Sequence, residues 1–316
     1  MVLLRSSPVF PALIEWAKRS KLATTVITSP DQAPELKRME VEAHIVDHFD
    51  NAAAKLLPPL TDSWVAISFG ARWIFRSEIL YGTHAFAGRL VNAHGTRLPF
   101  DRGGGGFSWR VMRGDRIGCL LLHKVDAGID TGSVVAFEDY VIPRALQTPA
   151  EIAADYERRQ LPFVIEYLER GALLDGVAQP DYAGTYYPRL RTPTHAWIDW
   201  SWPAQEIERF ILAFDEPYPG ARTCWRNAVL ILKQTQLHRG EVPHHPFQSG
   251  LVIRNNRRWL TVALPGPDSL IIESVTDEKG ESLMSRIAEG DRFFTPPERL
   301  STAMQERVTI GPKGAR

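Results

Sequence analysis

Trp64-Val65-Ala66-Ile67-Ser68-Phe69-Gly70 and Arg89-Leu90-Val91-Asn92-Ala93-His94 are the stretches that decide the fold. The first is an apolar run halted by a glycine, the pattern of a strand buried on both faces. The second has the same character as far as Val91 and then turns polar, which puts Asn92 and His94 at the end of a strand. Upstream, Val2-Leu3-Leu4, Thr24 to Thr28 and Ala43 to Val46 read as further short strands. Helical patterns at Pro11 to Arg19 and Asn51 to Leu57 lie between them. This alternation predicts an α/β fold, with a doubly wound, mostly parallel sheet. Ligands bind such sheets beyond the carboxyl ends of the strands, which is where Asn92 and His94 fall.

Working outward, Gly103-Gly104-Gly105-Gly106 leads into a helix from Phe107 to Met112. Two long β-rich runs, Ile117 to Val125 and Ser133 to Ile142, flank an Asp126 to Gly132 turn. Thr148-Pro149-Ala150-Glu151 is a capping box with proline at the first helical position, opening an amphipathic helix to about Glu169. Residues 1–175 thus read as one unit and 176–200, broken by Pro180, Gly184, Pro188 and Pro193, as a connector. Residues 201–316 read as a smaller C-terminal unit. Ile207, Phe210, Ile211 and Phe214 give it a helical stripe, and short β-rich runs at Val229 to Leu232, Leu251 to Ile253, Leu260 to Leu264 and Leu270 to Val275 predict a small antiparallel β-barrel. The tail from Thr309 to Arg316 reads as frayed.

The chain has 316 residues, enough for two units, and 37 basic residues balance 37 acidic ones. A neutral balance argues against broad electrostatic capture of nucleic acid. Cys119 and Cys224 make no disulfide framework and no zinc-binding pair. A reducing, cytoplasmic setting is expected, with no membrane partner, since no run reaches the ~18 apolar residues of a spanning helix.

Asn92, His94 and Asp130 combine an amide, an imidazole and a carboxylate. That set suits acyl transfer, with a donor for a developing oxyanion, a proton acceptor and a group to orient or charge it. Other features have plainer readings. The four glycines lack the lysine and spacing of a phosphate loop. His244-His245 lies between prolines and reads as a solvated loop, so no metal is expected. Trp64, Trp73 and Trp109 flank the sheet edge and read first as packing.

Asn92-Ala93-His94, Leu98-Pro99, Arg102-Gly103 and Val125-Asp126-Ala127-Gly128-Ile129-Asp130-Thr131-Gly132 resemble, in order and spacing, the signature of the 10-formyltetrahydrofolate-dependent formyltransferases. Ile198-Asp199-Trp200 and Pro217-Tyr218-Pro219-Gly220-Ala221 look like the start of the C-terminal domain in two-domain members. The resemblance implies a doubly wound catalytic domain and an oligonucleotide-fold-like barrel. It also implies transfer of a formyl group from the cosubstrate N10-formyltetrahydrofolate to a primary amine, without a metal. Asn92 would be the oxyanion donor, His94 the proton acceptor, and Asp130 the orienter and relay, although a protonated His94 acting as donor is equally compatible with the sequence. The family holds the pterin mainly through backbone groups, and the matching stretches are Phe69, Gly70 and Ala71 with Val125, Asp126, Gly128 and Ile129.

The acceptor is read from smaller signs. Methionyl-tRNA formyltransferases carry a long basic, glycine-rich loop after the second strand, whereas here Ser29 to Arg38 is followed directly by the next strand. Phe100 to Trp109 looks more like the nucleotide-sugar N-formyltransferases. The expected partner is therefore a nucleoside-diphosphate amino sugar, with Arg97, Arg102 and Trp109 as substrate-binding candidates and a homodimer as an allowed assembly. A tRNA acceptor, another small amine, formyltetrahydrofolate hydrolysis and a non-catalytic folate-binding role are the alternatives.

Overall fold

Both deciding stretches form strands in the middle of one sheet. The computed structural model describes every residue except Arg72, Thr83, His84, Leu173, Thr309, Pro312, Lys313 and Arg316, so the expected frayed tail falls partly outside the described residues. The first five strands are β1 (Val2–Leu4), β2 (Thr25–Thr28), β3 (His44–Ile45), β4 (Ala66–Ser68) and β5 (Leu90–His94). Helices α1 (Phe10–Arg19), α2 (Ala33–Arg38) and α3 (Ser77–Tyr81) lie between them, with a 3-10 turn at Ala53–Leu56. Alternation along the strands feeds two cores. Leu4, Ile27, Ala66 and Leu90 pack with Trp64, Trp73 and Phe86 on one face, while Leu3, Val26, Ile67 and Val91 pack with Leu13 and Val164 on the other. Trp64 and Trp73 are therefore core residues.

After the short strand β6 (Arg102–Gly103) come α4 (Gly106–Arg113), β7 (Ile117–Lys124), β8 (Val134–Val141) and the long helix α5 (Pro149–Glu169). The expected capping box is formed, with Glu151 N donating to Thr148 Oγ1 and Thr148 N to Glu151 Oε2. The sheet order is β3-β2-β1-β4-β5-β7-β8. Its first five strands are parallel, and β7 and β8 join antiparallel. The Asp126 to Gly132 turn is too short for the crossover that a parallel pair requires. Strand order reverses between β1 and β4, which opens a crevice at their carboxyl ends.

The second half contains β9 (Tyr186–Tyr187), α6 (Thr192–His195), α7 (Ala204–Ala213), β10 (Ala221–Trp225), β11 (Ala228–His244), β12 (Val252–Asn255), β13 (Leu260–Ala263), β14 (Gly266–Thr276), β15 (Phe293–Phe294) and α8 (Pro297–Gln305). Its six-stranded antiparallel sheet, ordered β12-β13-β14-β11-β10-β15, forms a half-barrel around Ile207, Ile211 and Phe214 of α7. A bridge between Leu251 and Arg292 ties the two edges together. β11 is far longer than its apolar run because β14 pairs with it along most of its length. His244 thus ends a strand, its Nε2 3.1 Å from Ser269 Oγ, rather than lying in a loop.

Residues read as a connector are stitched to the first half. β6 and β9 pair in parallel, Arg102 N donates to Thr185 O, and Gly104 N donates to Tyr187 O. Gly103 has φ +100°, and a Cβ there would lie 2.2 Å from Tyr187 O, so only glycine fits. Gly103 therefore serves the close approach of the two backbones. Both cysteines are free, and no helix among the described residues is long and apolar enough to cross a membrane.

Candidate active site

Asn92 is locked through both ends of its amide. Its Oδ1 accepts from Gly70 N (3.2 Å), just past the end of β4, and its Nδ2 lies 3.3 Å from His123 Nε2 on β7. Register explains both contacts, because Asn92 pairs with Ser68 on one side and faces His123 on the other. His123 Nδ1 lies 2.8 Å from Lys124 O, and a carbonyl can only accept. The proton is therefore on Nδ1, and Nε2 accepts one N–H of Asn92. The second Nδ2 hydrogen has no partner among the described residues.

His123 is fully enclosed, and burial, ahead of repulsion from His94, lowers its pKa to about 4. It is neutral near pH 7, as its acceptor role requires. Sequence reading passed over this residue. Its trace is a lone histidine near the end of the apolar run of β7, three positions before Asp126.

His94 is held from the opposite nitrogen. Its Nε2 lies 2.6 Å from Thr96 Oγ1 and 3.1 Å from Asp101 O, while Thr96 Oγ1 donates to the same carbonyl. Nε2 therefore carries a proton, and Nδ1 points towards Asp130 Oδ1, 3.9 Å away. Thr96 and the Asp101 carbonyl thus hold the ring from the side opposite Asp130. Asp130 Oδ2 accepts from Gly103 N (2.9 Å), and Oδ1 also lies 3.6 Å from His123 Nε2. The trio expected from sequence is brought together. One ligand atom from each of His94, His123 and Asp130 lies within 4.8 Å of the others, but the Nε2 lone pair of His123 is already taken by Asn92.

The remaining candidates surround the trio less directly. Phe69, Gly70 and Ala71 follow β4, and Val125 to Ile129 follow β7, so they flank β5 on its two sides. Several of their polar groups are already paired: Gly70 N with Asn92, Ala71 N with Ser68 Oγ, Val125 N with Leu90 O, and Asp126 Oδ1 with Gly128 N and Thr131 Oγ1. Phe69 is buried edge-on against Phe10, whereas Ile129 is half exposed. The substrate candidates are engaged elsewhere. Arg97 lies 3.8 Å from Asp139, Arg102 Nε donates to Gln179 Oε1 (3.1 Å), and Trp109 Nε1 donates to Pro188 O (2.8 Å). Trp109 instead lines a cleft of about 570 Å³ with Trp202 and Phe210 of the second half.

A mostly parallel sheet with the candidate site at the carboxyl end of β5, joined to an antiparallel half-barrel, is the formyltransferase fold. It is shared by the N-formyltransferase of Helicobacter canadensis in complex with folinic acid and dTDP-3-aminofucose (TM-score 0.66, 13% identity, 86% of this chain and 98% of that one). Residues 191–292 match the formyl transferase C-terminal domain family. By sequence the chain is similar to methionyl-tRNA formyltransferases, at 34% identity to that of Nitrosococcus oceani over 42% of this chain and 41% of that protein. It is 28% identical to that of Dechloromonas aromatica over 65% and 66%. The chain thus spans between two fifths and two thirds of the length of these two relatives. In sequence and in fold the chain is similar to formyltransferases.

Proposed function

We propose that this protein moves the formyl group of N10-formyltetrahydrofolate to a primary amine, the amino group of a nucleotide-linked amino sugar. The observation that carries the reading is the division of hydrogen bonds around Asn92, His94 and Asp130. Asn92 keeps one N–H without a partner among the described residues, while His94 Nδ1 and Asp130 Oδ1 face each other. The amine nitrogen attacks the formyl carbon, and the carbonyl oxygen takes up negative charge, accepting the free Asn92 N–H. His94 Nδ1 accepts the proton released by the new C–N bond. The Asp130 carboxylate stabilises the imidazolium and relays a proton to the departing N10 nitrogen as its bond to the formyl carbon breaks.

On this reading residues 1–175 form the catalytic unit, 176–200 the connector and 201–316 the accessory unit, working in the cytoplasm. Phe69 to Ala71 and Val125 to Ile129 line the folate, and Arg97, Arg102 and Trp109 lie on the acceptor side. A sugar acceptor is supported by the absence of a basic loop after β2, by the balanced charge, and by the dTDP-amino sugar bound to the Helicobacter canadensis enzyme. A tRNA acceptor is the second reading, because the sequence relatives are methionyl-tRNA formyltransferases. The test is incubation with N10-formyltetrahydrofolate and a panel of amino-sugar nucleotides, following tetrahydrofolate release. Turnover with charged initiator tRNA and with no sugar would overturn the acceptor. Formate release without any amine would mark a hydrolase.

A further inference from the structure

Asp130 is the one member of the trio with no strand to hold it. It lies between β7 and β8 at φ +54°, a left-handed conformation that residues other than glycine rarely adopt. Asp126 ties the early part of the turn through its bonds from Gly128 N and Thr131 Oγ1. The later part is gripped from outside. Gln179 Nε2 donates to Asp130 O (2.8 Å) and to Gly132 O (2.7 Å), using both amide hydrogens. Its Oε1 accepts from Arg102 Nε (3.1 Å). Two carbonyls on one side and a guanidinium N–H on the other permit only this orientation of the amide. Gly103, next to Arg102, donates to Asp130 Oδ2. One side chain therefore joins the Asp130 main chain to the segment that holds the Asp130 carboxylate.

We propose that Gln179 is a positioning residue for Asp130, keeping its Oδ1 opposite His94 Nδ1. The proposal rests on the formyl-transfer reading above. Gln179 touches no reacting atom. Its effect comes from fixing the left-handed turn, since a displacement of about 1 Å at a reacting group can cost 10²-fold in rate. Pro180 follows directly and limits the backbone of Gln179, which helps present the side chain in one direction.

The experiment is a double-mutant cycle on the full-length protein, reading kcat and KM for donor and acceptor together with the thermal midpoint. Gln179→Leu keeps the bulk but supplies neither donor nor acceptor. Gln179→Glu keeps an acceptor for Arg102 but, when ionised, cannot donate to the two carbonyls, and it serves if the leucine variant fails to fold. Each is expected to lower kcat about 10- to 100-fold, with both KM values within about 3-fold of wild type. Asp130→Asn is expected to lower kcat at least as far. Combining Asp130→Asn with either Gln179 change is expected to add little, because Gln179 acts through Asp130. Full kcat in Gln179→Glu, or losses that multiply in the double variant, would overturn the positioning role. A wild-type protein without formyl transfer, or an Asp130→Asn variant of wild-type activity, would instead overturn the reading on which it rests.

Discussion

Asn92 and His94 stand on a strand paired on both sides, whereas Asp130 stands in a turn whose main chain is held by a residue 49 positions further on. The two halves of the site therefore have different sources of precision. Along β5, sheet register places His123 opposite Asn92 and the end of β4 beside it, so positioning comes with the fold. Around Asp130 the same precision depends on individual hydrogen bonds from Gly103 and Gln179, which the connector secures through the β6–β9 ladder. A change on the strand should remove a chemical group without moving its neighbours. A change at the turn should move a group that is still present.

Removing Asn92, the proposed oxyanion donor, should show the largest effect. Asn92→Ala is expected to lower kcat by about 10²- to 10³-fold with a small change in thermal midpoint, read by steady-state kinetics beside calorimetry. A loss confined to KM would mean that Asn92 binds substrate without acting on the transition state. Gly103→Ala attacks the turn side. Its Cβ would meet Tyr187 O, so the ladder must shift and Gly103 N must leave Asp130. A fall in kcat of about 10-fold or more is expected together with about 1–3 kcal/mol of lost stability, measured by denaturant melts. Unchanged melts and turnover would show that the connector does not support the site.

A smaller effect probes β5 through pH. His123 titrates near 4 in the folded protein against about 6.5 in an unfolded chain, so the unfolded state binds more protons between those values. The stability contributed by a neutral His123 is complete above about pH 6.5 and is lost as pH falls towards 4. Thermal midpoints recorded across this range should fall less steeply for His123→Gln than for wild type. Parallel curves would show that His123 is not the titrating group. The smallest effect is expected at Arg97, whose partner Asp139 lies 3.8 Å away on a half-exposed surface. Arg97→Ala should change stability by under about 0.5 kcal/mol. On the proposed acceptor it should raise KM for the sugar nucleotide alone, so an unchanged KM would remove Arg97 from the acceptor site.

Much of this molecule was legible because local signals coincided. Glycine stops, β-branched runs and the Thr148 capping box each depend on neighbours in sequence, and each marks an element of the structure, though not always with the bounds read. Asn92, His94 and Asp130 were found through spacing and residue type. His123 was not, because an isolated histidine in an apolar strand carries no signal until a partner strand sets its register. Gln179 was hidden for a related reason, since its three hydrogen bonds reach back across 47 to 77 positions. The length of β11 escaped likewise, because its polar second part is strand only through pairing with β14.

By itself, then, the sequence determined the strand–helix alternation and the half-barrel's apolar runs, since each follows from short-range preferences of the chain, and it singled out the three candidate groups by type and spacing. Tertiary structure alone decided which nitrogen of His94 faces Asp130, what fixes the Asn92 amide, and what holds Asp130 in a left-handed turn. Those are matters of hydrogen-bond direction, and a donor is aimed only when a distant acceptor has been folded into place beside it.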